Sequence, residues 1–108
     1  YEAPVSIYAA SRLGQPRINI LPADIFPGAP NGAVTIGLRP EQIRQGEGDE
    51  SLVKRVEHLG DQTRLHLSLK NHDLITVTTP HTMLKAGDII KIQPHRPFYF
   101  DANGTRIA

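Results

Sequence analysis

With 108 residues, 12 Lys and Arg against 11 Asp and Glu, and no cysteine, the chain has room for one domain and one core. The missing cysteine excludes a disulfide framework, a thiolate metal site and a cysteine nucleophile. The two signs are interspersed around a net charge of +1, which argues against a dedicated nucleic-acid or membrane-surface protein, and no apolar run approaches the ~18 residues of a spanning helix.

The opening stretch "YEAPVSIYAASRLG" sets Pro4 at a helix start with Glu2 near its positive end. Val5, Tyr8, Ala9 and Leu13 recur at helical spacing, and Gly14 with Pro16 ends the pattern. One short N-terminal helix is expected, with residues 1–14 as helix and junction and residues 15–108 as the domain proper. The chain begins at Tyr1 and its one methionine is Met83, so it reads as processed or as a piece of something longer.

From Pro16 the period changes to two. Ile18 and Ile20 alternate in "RINIL", and Val34, Ile36 and Leu38 in "AVTIGL". Between them, "PADIFPGAPNG" holds three prolines and two glycines and predicts an irregular connection, with Phe26 as an isolated aromatic. The run "RQGEGDE" reads as a polar loop, and in "SLVKRVEHL" the spacing of Val53 and Val56 permits a bulge. After Gly60-Asp61, "QTRLHLSL" puts Leu65, Leu67 and Leu69 on one face and Arg64, His66 and Ser68 on the other. A turn through Asn71-His72-Asp73 leads to "LITVTT", a turn through Gly87-Asp88 to "IIKI", and Asn103-Gly104 predicts a closing hairpin. Six to eight short strands with frequent turns predict an all-β fold, a small OB-like barrel with one short helix.

Little here carries catalytic chemistry. Gly32 to Gly37 has the glycine spacing of a phosphate loop, but Leu38-Arg39 follows where Lys-Ser/Thr is needed. The histidines at 58, 66, 72, 81 and 95 are too loosely spaced for a metal site. Ser68, His66 and Asp73 could be drawn as a triad, but no Gly-x-Ser-x-Gly elbow supports them. No catalytic residue, cofactor ligand or metal ligand is assigned. Phe98, Tyr99 and Phe100 read as a core and interface patch, since neighbours in a strand face opposite ways. Arg39-Pro40-Glu41 reads either as a local strand end or as a rigid corner that presents charge to another surface.

"TIGLRPEQI", "VKRVEHLGDQTRLHLSL", "LKAGDIIKI" and "FYFDANGTRI" together closely resemble the C-terminal transport-associated OB (TOBE) regulatory domain of ATP-binding subunits of ABC importers, of the group that serves sugars, polyols and glycerol phosphates. The motifs that carry the resemblance are Gly37-Leu38-Arg39-Pro40-Glu41, then Val56-Glu57-x-Leu59-Gly60, then Phe100-Asp101 and Gly104-Thr105-Arg106-Ile107. It implies a non-catalytic domain that pairs with a second copy across a two-fold axis, next to an N-terminal ATPase module, transporter membrane subunits and a possible regulatory protein. ATP and magnesium would belong to that missing module, and the complex would lie at the cytoplasmic side of the inner membrane. It further implies that Gly37, Arg39, Pro40, Glu41, Glu57 and Gly60 are architectural. Phe98, Phe100 and Asp101 become the candidate dimer contact. "RLGQPRIN" departs from the family's commoner Gly-Ser-Pro junction at Gln15. Two rival readings are a free-standing oxyanion or small-ligand barrel that uses Arg39, Lys54 and Arg55 around a subunit interface, and a single-strand nucleic-acid binder, which the charge balance disfavours.

Overall fold

A computed structural model describes residues 18–107, so the helix expected over residues 1–14 lies outside the described residues. Within them the fold is all-β, with two antiparallel four-stranded sheets. The first holds β1 (Asn19–Pro22), β2 (Thr35–Leu38), β7 (Phe98–Phe100) and β8 (Arg106–Ile107) in the order β1-β2-β7-β8. The second holds β3 (Ile43–His58), β4 (Thr63–Leu69), β5 (His72–Thr78) and β6 (Ile89–Pro94) in the order β5-β4-β3-β6. Two single 3-10 turns, Ala23–Ile25 and Pro40–Gln42, follow β1 and β2.

The β4 strand behaves as its alternation predicts. Thr63, Leu65, Leu67 and Leu69 are buried, and Arg64, His66 and Ser68 face partly outward. These leucines pack with Ile36, Leu38, Val53 and Ile92 in one core, where apolar burial contributes about 25 cal/mol per Å² removed from water. The predicted bulge is also present. Val53 pairs with Leu67 but Arg55 with His66, which leaves Lys54 as the extra residue.

Three expectations are corrected. The run "RQGEGDE" is part of the 16-residue β3, because β6 runs beside it at both ends. Gln45 and Asp49 both pair with Ile92, so Gly46, Glu47 and Gly48 form an insertion folded out of the ladder, with both glycines at positive φ. The turn between β4 and β5 is Lys70-Asn71, at φ 50 and 67, and His72 and Asp73 belong to β5, paired with Leu69 and Ser68. This is the positive-φ pair of a tight hairpin, with lysine where Asn, Asp or Gly is usual. Phe26 is not isolated. The 3-10 turn after Pro22 folds the segment inward, held by the Ala23 N–H to the Val34 carbonyl at 3.0 Å, so that Ala23, Ile25 and Phe26 enter the core.

The first sheet is apolar on both faces. Leu21, Ile36, Leu38 and Tyr99 pack toward the main core, whereas Ile18, Phe98 and Phe100 form a second cluster. Gly37 lies among that second set. A methyl group there would come within 3.1 Å of the Phe100 ring and 3.3 Å of Ile18, so the side chain is absent where the aromatic ring needs the space.

Candidate functional site

The Arg-Pro-Glu corner ends β2 and begins the path into β3. Pro40 keeps Arg39 extended at φ −66 and ψ 154. The buried Pro40 then opens the 3-10 turn, and its carbonyl accepts a 2.7 Å hydrogen bond from the Thr76 hydroxyl on β5. Gln42 closes the corner. Its Oε1 accepts from the Arg39 N–H at 2.7 Å, its own N–H donates to the Arg39 carbonyl at 2.9 Å, and its Nε2 donates to the Arg96 carbonyl at 2.7 Å. One amide side chain thus ties the corner to the turn between β6 and β7. The sequence reading missed Gln42, although a Gln three residues into a helical turn is the reach-back half of a capping box. Glu41 is exposed on the outside of the turn.

The Arg39 guanidinium lies over the Phe98 ring, 5.1 Å from its centroid, and Arg106 lies over the same ring at 5.3 Å. Each contact is a cation–π arrangement worth ~0.5–2 kcal/mol, depending on desolvation. Phe98 and Phe100 are buried at 8% and 0% exposure, so their rings lie inside the chain. Asp101 fixes the β7–β8 hairpin, its Oδ1 accepting from the N–H groups of Asn103 at 2.9 Å and Thr105 at 3.0 Å. The Asn103-Gly104 turn stands where the sequence places it, closed by the Gly104 N–H on the Asp101 carbonyl at 2.9 Å.

Glu57 is the hub of a separate charged cluster on β3 and β4. Its carboxylate takes a short hydrogen bond from His66, an ion pair with Arg55 at 3.0 Å and a longer one with Arg64 at 3.7 Å. The His66 hydrogen bond, reinforced by Arg55, holds the Glu57 carboxyl below its ordinary value despite the opposing effect of partial burial. His66 is therefore engaged with Glu57 and not with Ser68 or Asp73, and the drawn triad does not form. Gly60, at φ 93 in the β3–β4 turn, is there for its backbone conformation alone, since a side chain would meet nothing within 4 Å.

The three cations considered for an oxyanion do not converge within one chain. Lys54 and Arg55 line an open groove of about 440 Å³ with Asn19, His66, Asp73 and Ile75. Lys54 pairs there with Asp73 at 3.1 Å and Arg55 with Glu57. Arg39 sits over Phe98 instead. The Gly32 to Gly37 segment fits no phosphate cradle, because it runs from a turn into β2 and not into a helix N-terminus.

A family model described as a TOBE domain matches residues 36–97. An uncharacterized ABC transporter ATP-binding protein of Sinorhizobium fredii is 29% identical over 100% of this chain and 36% of the relative. An sn-glycerol-3-phosphate import ATP-binding protein of Ruegeria pomeroyi is 32% identical over 83% of this chain and 30% of its own length. A maltose/maltodextrin import ATP-binding protein of Photorhabdus laumondii is 28% identical over 97% of this chain and 37% of the relative. The chain spans about a third of the length of these curated relatives.

Proposed function

The chain belongs to the TOBE domain family, and on that premise we propose that it is the non-catalytic C-terminal regulatory domain of an ABC importer ATP-binding subunit. Its relatives are import ATP-binding proteins for glycerol phosphate, maltodextrin and related solutes, and the solute of the present system is accordingly a carbohydrate or a similar polar compound. The observation that carries the proposal is the near-complete coverage of this chain by only a third of each relative, which leaves the larger share of those proteins for an ATPase module. ATP and magnesium are assigned to that module, at the cytoplasmic side of the inner membrane.

The regulatory role rests on homodimerisation. The β7–β8 hairpin is the assigned contact, with Phe98 and Phe100 as its packed base and Asp101 holding its turn. The exposed tip at Ala102 and Asn103 would then meet a second copy across a two-fold axis. Reading the frame upstream of Tyr1 tests the assignment. A Gly-x-x-x-x-Gly-Lys-Ser/Thr loop in an ATPase module supports it, and an initiator methionine just before Tyr1 rejects it. Sedimentation of the parent subunit tests the contact, since Ala102→Arg should weaken the dimer at least about tenfold without unfolding the domain.

A further inference from the structure

The arginines and lysines of the described residues differ in their partners. Ion pairs among the described residues take up Lys54, Arg55, Arg64, Lys70 and Lys85, with His66, and none involves Arg44, Arg96 or Arg106. Those three arginines are exposed and gather where β6 ends and β7 begins. The Arg44 guanidinium lies 3.0 Å from His95 Nε2. Arg96 follows His95 directly, and Gln42 ties the Arg96 carbonyl to the Arg39 backbone. Arg39 and Arg106 both lie over the Phe98 ring, which keeps the two guanidiniums within roughly 10 Å of each other. Each link in this chain of contacts is fixed by a hydrogen bond, a peptide bond or a ring.

Two carboxylates stand beside the corner in sequence. Asp101 is held by the hairpin turn, with two backbone N–H groups on its Oδ1, and Glu41 is one exposed charge beside Arg39. His95 is held below its ordinary value by desolvation and by Arg44 and Arg96. Arg96 also adopts φ +52, a left-handed conformation that an arginine rarely takes, so the turn that carries it is held at some conformational expense.

We infer that this arginine corner, with Arg44, Arg96 and Arg106 beside Arg39 and His95, is a docking surface for a carboxylate-rich segment of another protein. Arginine forks suit carboxylates by bidentate pairing. Two guanidiniums lie at the Phe98 ring and that of Arg44 lies at His95, so they do not share one point, which suits several carboxylates along an extended segment, where alternate side chains repeat every ~7 Å. A single inorganic oxyanion would engage only part of such a set. Single-stranded nucleic acid would need exposed aromatic platforms, and the ring at this corner, Phe98, is buried. The surface lies at the start of β7 and the proposed dimer tip at its end, so the inference goes beyond the dimer reading and does not depend on it.

The test is an amide chemical-shift titration of the isotope-labelled chain, near physiological salt, with a soluble peptide rich in glutamate and aspartate. Inorganic phosphate and a single-stranded oligonucleotide are run in parallel. The expected result is a set of shifts confined to residues 39–44, 95–98 and 106. Affinity should fall at least about tenfold in the triple variant Arg44→Gln, Arg96→Gly, Arg106→Gln and less than about twofold in Lys54→Gln, Arg55→Gln. Arg96→Gly alone guards against misfolding, because glycine favours the φ found there, and it should weaken binding by itself. Shifts spread equally over the Lys54 and Arg55 face, equal loss in both multiple variants, or tighter binding of phosphate or oligonucleotide at the corner would each overturn the inference.

Discussion

The Asn19 side chain does the work of a strand for Ile75. Its Oδ1 accepts the Ile75 N–H at 2.8 Å, and its Nδ2 donates to the Ile75 carbonyl at 2.8 Å and to the Leu38 carbonyl at 3.0 Å. The first sheet is thereby fastened to the β5 edge of the second through one buried amide. Asn19→Ala removes all three of these hydrogen bonds and leaves the N–H and carbonyl of Ile75 without this partner, which should destabilise the domain by roughly 2–4 kcal/mol. Asn19→Asp keeps the acceptor but sets a carboxylate against two carbonyls. Its folded pKa is therefore raised, and stability in this variant should improve as pH falls and the acid protonates. Denaturant melts at two pH values check both statements, and an alanine variant as stable as the parent chain rules out the fastening role.

Glycines offer a second test because three of them constrain the chain for different reasons. At Gly48 the backbone has φ +110 and an added Cβ would lie 2.1 Å from the Ile92 carbonyl oxygen. Gly48→Ala should therefore cost more than ~3 kcal/mol, since backbone must move. Gly60→Ala meets open space and should cost only ~1 kcal/mol of conformational strain. Gly37→Ala has ordinary φ but crowds Phe100 and Ile18, an overpacking cost of ~1–3 kcal/mol. Equal losses at 48 and 60 would contradict this ordering.

The ordering also shows what was legible in the sequence. Gly37 and Gly60 stand in readable motifs. Gly48 looked like loop because its constraint comes from Ile92, 44 positions away in a strand that pairs with β3 on both sides of the insertion. Short-period patterns were readable for the same physical reason: β4 shows its two faces in its own seven residues, and Asn103-Gly104 defines its own turn. Asn19, Gln42 and Thr76 act on distant backbone, and a polar residue in a strand gives no sign of which carbonyl it will meet. The arginine corner draws on residues 39, 44, 96 and 106, which the pairing of β2 with β7, of β7 with β8 and of β3 with β6 brings together.

Acid sensitivity should show two windows. His95 has a folded value below its ordinary 6.5, so the unfolded chain takes up a proton first and stability falls as pH drops below that value. Glu57 has a folded value below its ordinary 4.5. Its contribution is present above that pH and is lost as pH falls through the lower folded value. Thermal melts from pH 8 to about pH 3 should lose their first slope in His95→Gln and their second in Glu57→Gln. An unchanged profile in Glu57→Gln would mean that the His66 and Arg55 contacts contribute nothing to the folded state in solution.

The corner itself is held from behind by Thr76. Its hydroxyl is fully buried and donates to the Pro40 carbonyl at 2.7 Å, with the Ile43 carbonyl at 3.3 Å. Pro40 offers no N–H of its own, so the hydrogen bonding of the corner depends on its carbonyl and on Gln42. Thr76→Val keeps the shape and removes one of the two donors to the Pro40 carbonyl, the other being the Ile43 N–H, which should cost ~0.5–1.5 kcal/mol. Thr76→Ser retains the donor and loses a methyl group, at ~1 kcal/mol. If the hydroxyl positions the corner, valine but not serine should also shift the amide resonances of Arg39, Gln42 and Arg96, because the three share the Gln42 bridge. Similar spectra for the two variants would reduce Thr76 to ordinary core filling.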